Sequence, residues 1–289
     1  GIYIALANLP FAKGDTILVM DEVFPAVRYV VDNNFPYLEK KYVGFCGNEP
    51  VEVVRKNMSS RLKAVVVDHV HFLSGETIDL QNLAQFTHSN GIFLVVDGIQ
   101  SIGAQDFDSS TANIDCLSAG SAKWLFGPSG AGFLYMNRRN FDVLDTRHTG
   151  WLGSGWTRFE DITVMPRLYA DARKYEMGTR NVMGILALSE NIKILLQYGM
   201  INVEARIAVL TKRLRSLFEE AGFDVLTPLQ RRGSGIITVR PRQDAPGLYE
   251  RLKAAGIVVS LRNGWLRFSP HFYNDDSDVG QVQSAILSF

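Results

Sequence analysis

The fold of this chain is decided by two stretches, FLVVDGIQSIGAQ (Phe93–Gln105) and IDCLSAGSAKWLFGPSGAGFLYM (Ile114–Met136). Each contains an apolar run of the length and composition that is typical of a strand buried on both faces. Each run leads directly into small and polar residues. Because ligands bind at the carboxyl ends of strands in an open parallel sheet, we expect a ligand site where these runs end.

Further apolar runs occur along the first two thirds of the chain. The predicted strands are Thr16–Met20, Ala64–Val67, Phe93–Val96, Ala112–Leu117 and Gly132–Met136. Amphipathic stretches separate them, such as Asp79–Ser89 with apolar residues at helical spacing. This alternation of strands and helices predicts an α/β fold with a mostly parallel sheet.

The last third of the chain shows a different order of elements. Two helices are predicted, Asn181–Tyr198 and Ile201–Ala221, separated by Gly199. They are followed by strand, helix, strand, strand and helix at Gly235–Arg240, Pro246–Ala255, Ile257–Ser260, Trp265–Ser269 and Asp276–Leu287. We therefore expect a large domain over residues 1–198 and a small C-terminal α+β domain over residues 199–289.

The composition restricts the class of protein. The 289 residues are 46% hydrophobic and include 30 basic and 30 acidic side chains, so the formal net charge is +0. Nothing indicates a protein that binds nucleic acid or a membrane surface, because such proteins usually carry a basic excess. No apolar run is long enough to span a bilayer. The two cysteines, Cys46 and Cys116, do not indicate a disulfide framework, so we expect a cytoplasmic location.

Four polar residues at the ends of the two decisive runs have side chains that suit pyridoxal phosphate (PLP). This cofactor needs a deprotonated lysine amine and a carboxylate that keeps its pyridine nitrogen protonated. Asp97, Gln100, Ser121 and Lys123 can supply these groups and further hydrogen bonds. Taken singly, however, an aspartate that closes a strand is often a turn or cap residue, and a lysine before a Gly-Pro turn is usually solvated. The residues alone leave both interpretations open.

The stretches VVDGIQSIGA and LSAGSAKWLFGPSGAGFLY closely resemble the cofactor region of the class V aminotransferases. Three more segments resemble this family, in the same order: DEVFPAV (Asp21–Val27), ADARKYEMGTRNVMGILAL (Ala170–Leu188) and LRFSPHFYN (Leu266–Asn274). The resemblance implies a PLP-dependent enzyme of fold type I, in the branch of the cysteine desulfurases and isopenicillin-N-epimerase-like proteins.

The resemblance also implies roles for five residues in binding the cofactor. Lys123 forms the Schiff base and moves protons, and Asp97 pairs with the pyridinium nitrogen. Gln100 hydrogen-bonds the ring oxygen, and Ser121 contacts the phosphate. Phe24 stacks on the ring, at a position where relatives often have histidine.

Two further roles concern the partner subunit and the substrate. The resemblance implies that Thr179 reaches the phosphate of the cofactor in the neighbouring subunit, so a homodimer with shared active sites is expected. It also implies that Arg267 binds the carboxylate of an amino-acid substrate, which suits the planar donor fork of a guanidinium group.

The chain departs from the family pattern at several positions. Ala122 stands where many relatives have histidine before the lysine. The family's asparagine that contacts the ring oxygen is replaced near His71–Phe72. The family's Thr-rich phosphate loop would lie just upstream of Gly1, so we expect that a leading segment is missing from this chain. Without that loop the phosphate cup is incomplete.

The expected activity is amino transfer on an amino-acid substrate, with a cysteine-type C–S lyase or an epimerase as the alternative on the same scaffold. No cysteine follows Cys116, which argues against a desulfurase that forms a persulfide. An alternative of another class is a catalytically silent relative that serves in dimerisation or as a scaffold. His69 and His71 have no third ligand nearby in the sequence, so no metal site is expected.

Overall fold

The computed structural model of the chain describes residues 1–156, 163–229 and 233–287. The chain forms two compact units. The first contains Gly1–His69, Asp79–Ile99 and Asp108–Glu190, and the second contains Val70–Ile78, Gln100–Phe107 and Asn191–Phe289. The sequence places the boundary after Tyr198, whereas the division falls between Glu190 and Asn191. The order of elements gives no sign that two short earlier segments belong to the second unit.

Within the described residues, the first unit is built on a six-stranded sheet in the order β2-β1-β3-β4-β5-β6. Its strands are β1 Thr16–Met20, β2 Glu39–Val43, β3 Leu62–Asp68, β4 Phe93–Asp97, β5 Cys116–Gly120 and β6 Gly132–Met136. Neighbouring strands are parallel, except that β6 runs antiparallel to β5. The predicted α/β fold with a mostly parallel sheet is confirmed.

Helices precede, connect and follow these strands. They are α1 Ile2–Ala7, α2 Pro25–Asn34, α3 Pro50–Lys56, α4 Leu80–Ser89, α5 Ser109–Ala112 and α6 Val182–Tyr198. Proline at the first position of α2 suits a helix start, because its φ angle is already fixed and its missing N–H is not needed there. At α4 the Asp79 carboxylate accepts a hydrogen bond from the backbone N–H of Asn82 at 3.1 Å, which caps the helix.

Two strands of this sheet differ from the sequence prediction. The predicted strand Ala112–Leu117 is wrong at its start, because Ala112 ends α5 and β5 begins at Cys116. Asp108 starts α5 by accepting a hydrogen bond from Ser110 N, and Asn113 ends it in a left-handed conformation with φ 51°. The sequence does not indicate strand β2, because its residues EKKYV are charged rather than apolar. This strand lies at the edge of the sheet, where charged side chains are common.

The central strands carry the core of the first unit. Leu18 on β1, Val66 on β3 and Val95 on β4 are fully buried. Burying an aliphatic side chain of this size contributes about 1.5–3 kcal/mol relative to exposure. This packing fixes the ends of β3 and β4, where Asp68 and Asp97 stand at paired positions of the parallel register.

The described part of the second unit contains a four-stranded antiparallel sheet in the order β7-β8-β10-β9. Its strands are β7 Asp224–Val225, β8 Ile237–Arg240, β9 Ser260–Arg262 and β10 Trp265–Phe268, and its helices are α7 Met200–Glu220, α8 Ala245–Ala254 and α9 Asp276–Leu287. One sheet face and the helices share an apolar core that includes Phe218, Leu248, Leu266 and Val282. The predicted small α+β domain is confirmed.

The hairpin between β9 and β10 explains why β9 begins later than the predicted strand Ile257–Ser260. Asn263 and Gly264 adopt φ angles of 50° and 78°, the backbone conformation that a tight two-residue hairpin turn requires. This turn pairs Trp265 with Arg262 and Arg267 with Ser260. Pairing to β10, rather than the apolar run alone, therefore sets the limits of β9.

No helix among the described residues combines the length and the apolar character that crossing a membrane requires.

Candidate cofactor site

Two aspartates stand side by side at the carboxyl ends of β3 and β4. Asp68 and Asp97 are register partners, so their side chains leave the sheet on the same face. The Oδ1 atom of Asp97 accepts a hydrogen bond from Ile99 N at 2.9 Å, and the Oδ2 atom of Asp68 accepts one from Phe24 N at 3.3 Å. The pair lies at the edge of the sheet where open parallel α/β folds bind ligands.

Burial raises the pKa of both carboxyl groups. Desolvation, and then the negative charge of Asp97, raise the pKa of Asp68 well above its ordinary value. Desolvation also raises the pKa of Asp97, while the hydrogen bond from Ile99 and the positive charge of Lys123 act in the opposite direction. Of two neighbouring carboxyl groups one is favoured to hold a proton, and Asp68, with 3% of its surface exposed, is the better candidate.

Asp68 is the residue that the sequence interpretation missed. Its Oδ1 atom is buried and has no hydrogen-bond partner among the described residues. Leaving a buried polar atom unsatisfied costs about 1–3 kcal/mol, so such an atom marks a place where a ligand or a shared proton can bind. A signal was present in the sequence, because AVVVD at Asp68 ends in the same way as FLVVD at Asp97.

Lys123 lies in the loop that follows β5 and approaches the same two aspartates. Its charge lowers the pKa of both carboxyl groups. Its Nζ atom lies 5.5 Å from the centroid of the Phe24 ring. Phe24 precedes α2 and is partly buried, whereas the Lys123 side chain is exposed. The structure thus brings Lys123, Asp97, Asp68 and Phe24 together in the first unit.

Ser121 is fully buried inside the lysine loop. Its hydroxyl group lies within hydrogen-bonding distance of two carbonyl oxygens, those of Pro128 and Ala131. A Cβ atom on Gly127 would stand 2.7 Å from the Cβ atom of Ser121, so only glycine allows the loop to close this tightly. The hydroxyl group therefore helps to shape the loop, and its contact with a phosphate stays a prediction.

Thr179 is exposed and belongs to the first unit. Two residues later, Asn181 Nδ2 donates a hydrogen bond to Gly130 O at 3.2 Å, and Asn181 Oδ1 accepts one from Gly184 N at the start of α6. Asn181 thereby ties the Gly178–Thr179 segment to the lysine loop. Whether Thr179 contacts a second subunit stays a prediction.

Gln100 and Arg267 belong to the second unit. Gln100 is buried. Arg267, on β10, is partly buried, and its Nη1 atom donates a hydrogen bond to the backbone oxygen of Phe72 at 2.5 Å. Burial, and then the charge of Arg262, lower the pKa of Arg267.

Other candidate chemistries find little support. Burial, followed by the charge of Asp115, raises the pKa of the Cys116 thiol, so this cysteine stays protonated and unreactive. Within residues 1–156, 163–229 and 233–287, no group of three or more His, Cys, Asp or Glu side chains could hold a metal ion. The buried His71 is engaged locally, because its Nδ1 atom accepts a hydrogen bond from Ser74 N at 3.0 Å.

The cluster in the first unit fits PLP. Asp97 is a desolvated carboxylate, and a pyridinium cation beside it would offset the cost of its charge. Phe24 offers a flat apolar ring, and Lys123 offers an accessible primary amine. The unsatisfied Oδ1 atom of Asp68 adds a polar group that a bound molecule or a shared proton can engage.

Comparison with known proteins agrees with this fit. Residues 44–282 match the Aminotransferase class-V family. The chain is 25% identical over 266 residues to the uncharacterized aminotransferase YcbU of Bacillus subtilis (strain 168), covering 91% of this chain and 69% of that protein. It is 28% identical over 247 residues to isopenicillin N epimerase of Streptomyces clavuligerus, covering 79% of this chain and 61% of the epimerase.

The fold of this chain is also similar to that of a solved structure. The apo structure of a cysteine desulfurase from Thermococcus onnurineus NA1 superimposes with a TM-score of 0.86 at 20% identity, covering 99% of this chain and 76% of that one. At this identity the similarity establishes the fold, and the family match over most of the chain establishes the relationship. The chain therefore belongs to the class V aminotransferases, a family of enzymes that depend on pyridoxal phosphate.

Proposed function

We propose that this chain catalyses amino transfer from an amino-acid substrate, with Lys123 as the residue that holds the cofactor covalently. The observation that carries the proposal is the cluster of Lys123, Asp97, Asp68 and Phe24 at the carboxyl ends of the parallel strands. Bound PLP supplies an electron sink for the negative charge that develops at the substrate Cα atom.

The proposed roles follow from the chemistry of each side chain. Asp97 pairs with the pyridine nitrogen, because a buried carboxylate favours a neighbouring cation. The ring of Phe24 covers one face of the cofactor and excludes water there. When its amine is not bound to the cofactor, Lys123 Nζ takes a proton from the substrate Cα atom and then delivers it to another atom of the reacting molecule. Exposure of the lysine side chain supports this movement.

The remaining predicted contacts are retained in the proposal. Gln100 hydrogen-bonds the ring oxygen, Ser121 and Thr179 contact phosphate, and Arg267 binds the substrate carboxylate. The partly buried guanidinium group of Arg267 supports the last role, because desolvation strengthens its attraction for an anion.

We further propose that the enzyme is a homodimer located in the cytosol. Helix α6 exposes an unusual number of apolar side chains, among them Val182, Met183, Leu186 and Leu196, with exposed fractions of 58%, 78%, 58% and 66%. An apolar surface of this kind is typical of an interface between subunits. The exposed Thr179 lies three residues before the start of this helix. The cytosolic location is supported by Cys46 and Cys116, neither of which forms a disulfide bond among the described residues.

The role of Lys123 is tested by the yellow absorbance of the purified holoenzyme. We expect Lys123→Ala to abolish the band and catalysis, because no amine remains to hold the cofactor. Lys174→Ala is a matched control, since Lys174 Nζ also lies 5.5 Å from an aromatic ring centroid, that of Phe141, and its side chain is buried. The control should keep the band. A wild-type protein that takes up no added PLP would instead favour the scaffold alternative.

Epimerisation is the second candidate, because one relative at 28% identity is an isopenicillin N epimerase. Product analysis separates the reactions. Amino transfer consumes a keto-acid acceptor and releases a new keto acid, epimerisation changes only chirality, and C–S cleavage releases sulfide. We expect turnover to depend on the keto acid. Turnover without an acceptor would contradict amino transfer.

A further inference from the structure

The face of the second sheet that does not pack on the core carries several arginines. Across the β9–β10 hairpin, Arg262 is paired with Trp265 and Arg267 with Ser260, while Leu266 is paired with Leu261. Side chains alternate along a strand, so Arg262 and Arg267 share one face and Leu266 faces the core. On the neighbouring strand β8, Arg240 lies over the Trp265 ring, 4.6 Å from its centroid.

These arginines differ in how their charges are neutralised. Arg240 forms an ion pair with Asp224 at 2.9 Å. In the described part of the chain, no ion pair joins Arg262 or Arg267 to an acidic side chain, and the buried Nε atom of Arg267 has no hydrogen-bond partner. Two of the arginines on this face therefore retain positive charges that no acidic side chain among the described residues neutralises.

Arg262 and Arg267 also converge on one residue. Arg267 Nη1 donates to the backbone oxygen of Phe72 at 2.5 Å, and the Cζ atom of Arg262 lies 5.9 Å from the centroid of the Phe72 ring. Their positions are diagonal neighbours in the hairpin, a separation of about 7–8 Å that long side chains can bridge. The two like charges repel each other, and the charge of Arg262 lowers the pKa of Arg267, after the larger effect of burial.

We propose that the substrate carries two carboxylates and that Arg262 binds the second one while Arg267 binds the first. The substrate class is then a dicarboxylic amino acid. The planar fork of each guanidinium group matches one carboxylate. Two such forks on one sheet face suit an anion with two separated carboxylate groups, and its charge offsets the repulsion between the arginines. This inference rests on the proposed function, because it assigns both carboxylates to the same substrate.

The test compares binding of glutarate with binding of butyrate to the holoenzyme by calorimetry. The two probes have similar carbon chains but differ in one carboxylate. We expect the wild type to bind glutarate about tenfold more tightly, the effect of one additional charged hydrogen bond. Arg262→Gln should remove this preference, and Arg262→Lys should retain part of it.

Arg240→Gln is the matched control, because this arginine lies on the same sheet face but is already paired with Asp224. It should keep the preference for glutarate. Equal binding of both probes by the wild type would overturn the inference, as would a loss of preference in Arg240→Gln equal to that in Arg262→Gln. If the yellow band is present while the preference is absent, only this inference fails; if the band itself is absent, the proposed function fails and the inference with it.

Discussion

Asp68 and Asp97 show how strongly the surroundings of a carboxyl group affect the cost of its ionisation. Both close a buried parallel strand, and they are register partners. Asp97 accepts a hydrogen bond within its own loop, whereas Asp68 holds the backbone of Phe24 with one oxygen and has its other oxygen buried without a partner among the described residues. Asp68 therefore positions the proposed ring-stacking residue and bears the larger cost of ionisation.

The pH dependence of stability tests this difference at Asp68. Its pKa is raised in the folded protein above the unfolded value of 3.8, so the folded state binds the proton more tightly. The stabilisation that this proton contributes is complete below the unfolded pKa and is lost as the pH rises through the folded pKa. Asp68→Asn does not show this loss, because asparagine does not ionise. Each unit by which folding raises the pKa of Asp68 corresponds to about 1.4 kcal/mol of unfolding free energy. We expect the variant without cofactor to gain stability relative to wild type as pH rises, measured by urea unfolding from pH 4 to pH 8.

Asp142→Asn is a suitable control for this series, because it removes the same charge from an exposed side chain. It measures the effect of removing an exposed carboxylate over the same pH range, and the gain of Asp68→Asn should exceed it. A stability difference for Asp68→Asn that does not change with pH would show that the Asp68 carboxyl group is not held protonated.

At the scale of elements, the segment Val70–Ile78 organises the arginine face of the second sheet. Phe72 O accepts the hydrogen bond from Arg267, Thr238 Oγ1 donates to Leu73 O, and Ser234 Oγ donates to Gly75 O at 2.7 Å. The close approach requires glycine at position 75, where φ is 72° and a Cβ atom would stand 2.8 Å from Ile236 O. The segment thus fixes the position of Arg267 through contacts with backbone atoms.

Gly75→Ala should therefore destabilise the protein by more than backbone strain alone explains. A non-glycine residue in the left-handed region costs about 1–2 kcal/mol. Gly91→Ala measures that cost by itself, because Gly91 has φ 66° and no atom within 4 Å of the added Cβ position. We expect Gly75→Ala to cost about 1–3 kcal/mol more, the range found for overpacking. Equal melting temperatures of the two variants would refute the close contact at Gly75.

At the scale of the whole molecule, the exposed apolar side chains of α6 are the feature on which the proposed homodimer rests. They lie on a helix that follows the Thr179 segment, which we propose reaches the active site of a neighbouring subunit. A surface of this composition is costly in water, and burying it against a second copy removes that cost.

Leu186→Glu should therefore shift the protein from dimer to monomer in sedimentation experiments, because a charge buried in an apolar interface is costly. Ser89→Glu adds the same charge at an exposed position of a different helix, α4, and should leave the protein dimeric. A wild type that sediments as a monomer at all concentrations would contradict the proposed homodimer.

The sequence by itself determined the α/β class, most elements of the core and the identity of the family. Apolar runs report burial directly, and local motifs such as the lysine loop are written in consecutive residues. It also identified Lys123, Asp97 and Phe24 as candidates, since each lies within a motif that resembles the family's.

Only the tertiary structure decided which distant residues share an environment. The register of β3 and β4 places Asp68 beside Asp97, and pairing across the β9–β10 hairpin places Arg262 on the same face as Arg267. The division of the chain also assigned Val70–Ile78 to the second unit. Desolvation and charge proximity depend on what packs around a group rather than on its neighbours in the chain, which is why the sequence did not reveal Asp68 or the arginine pair.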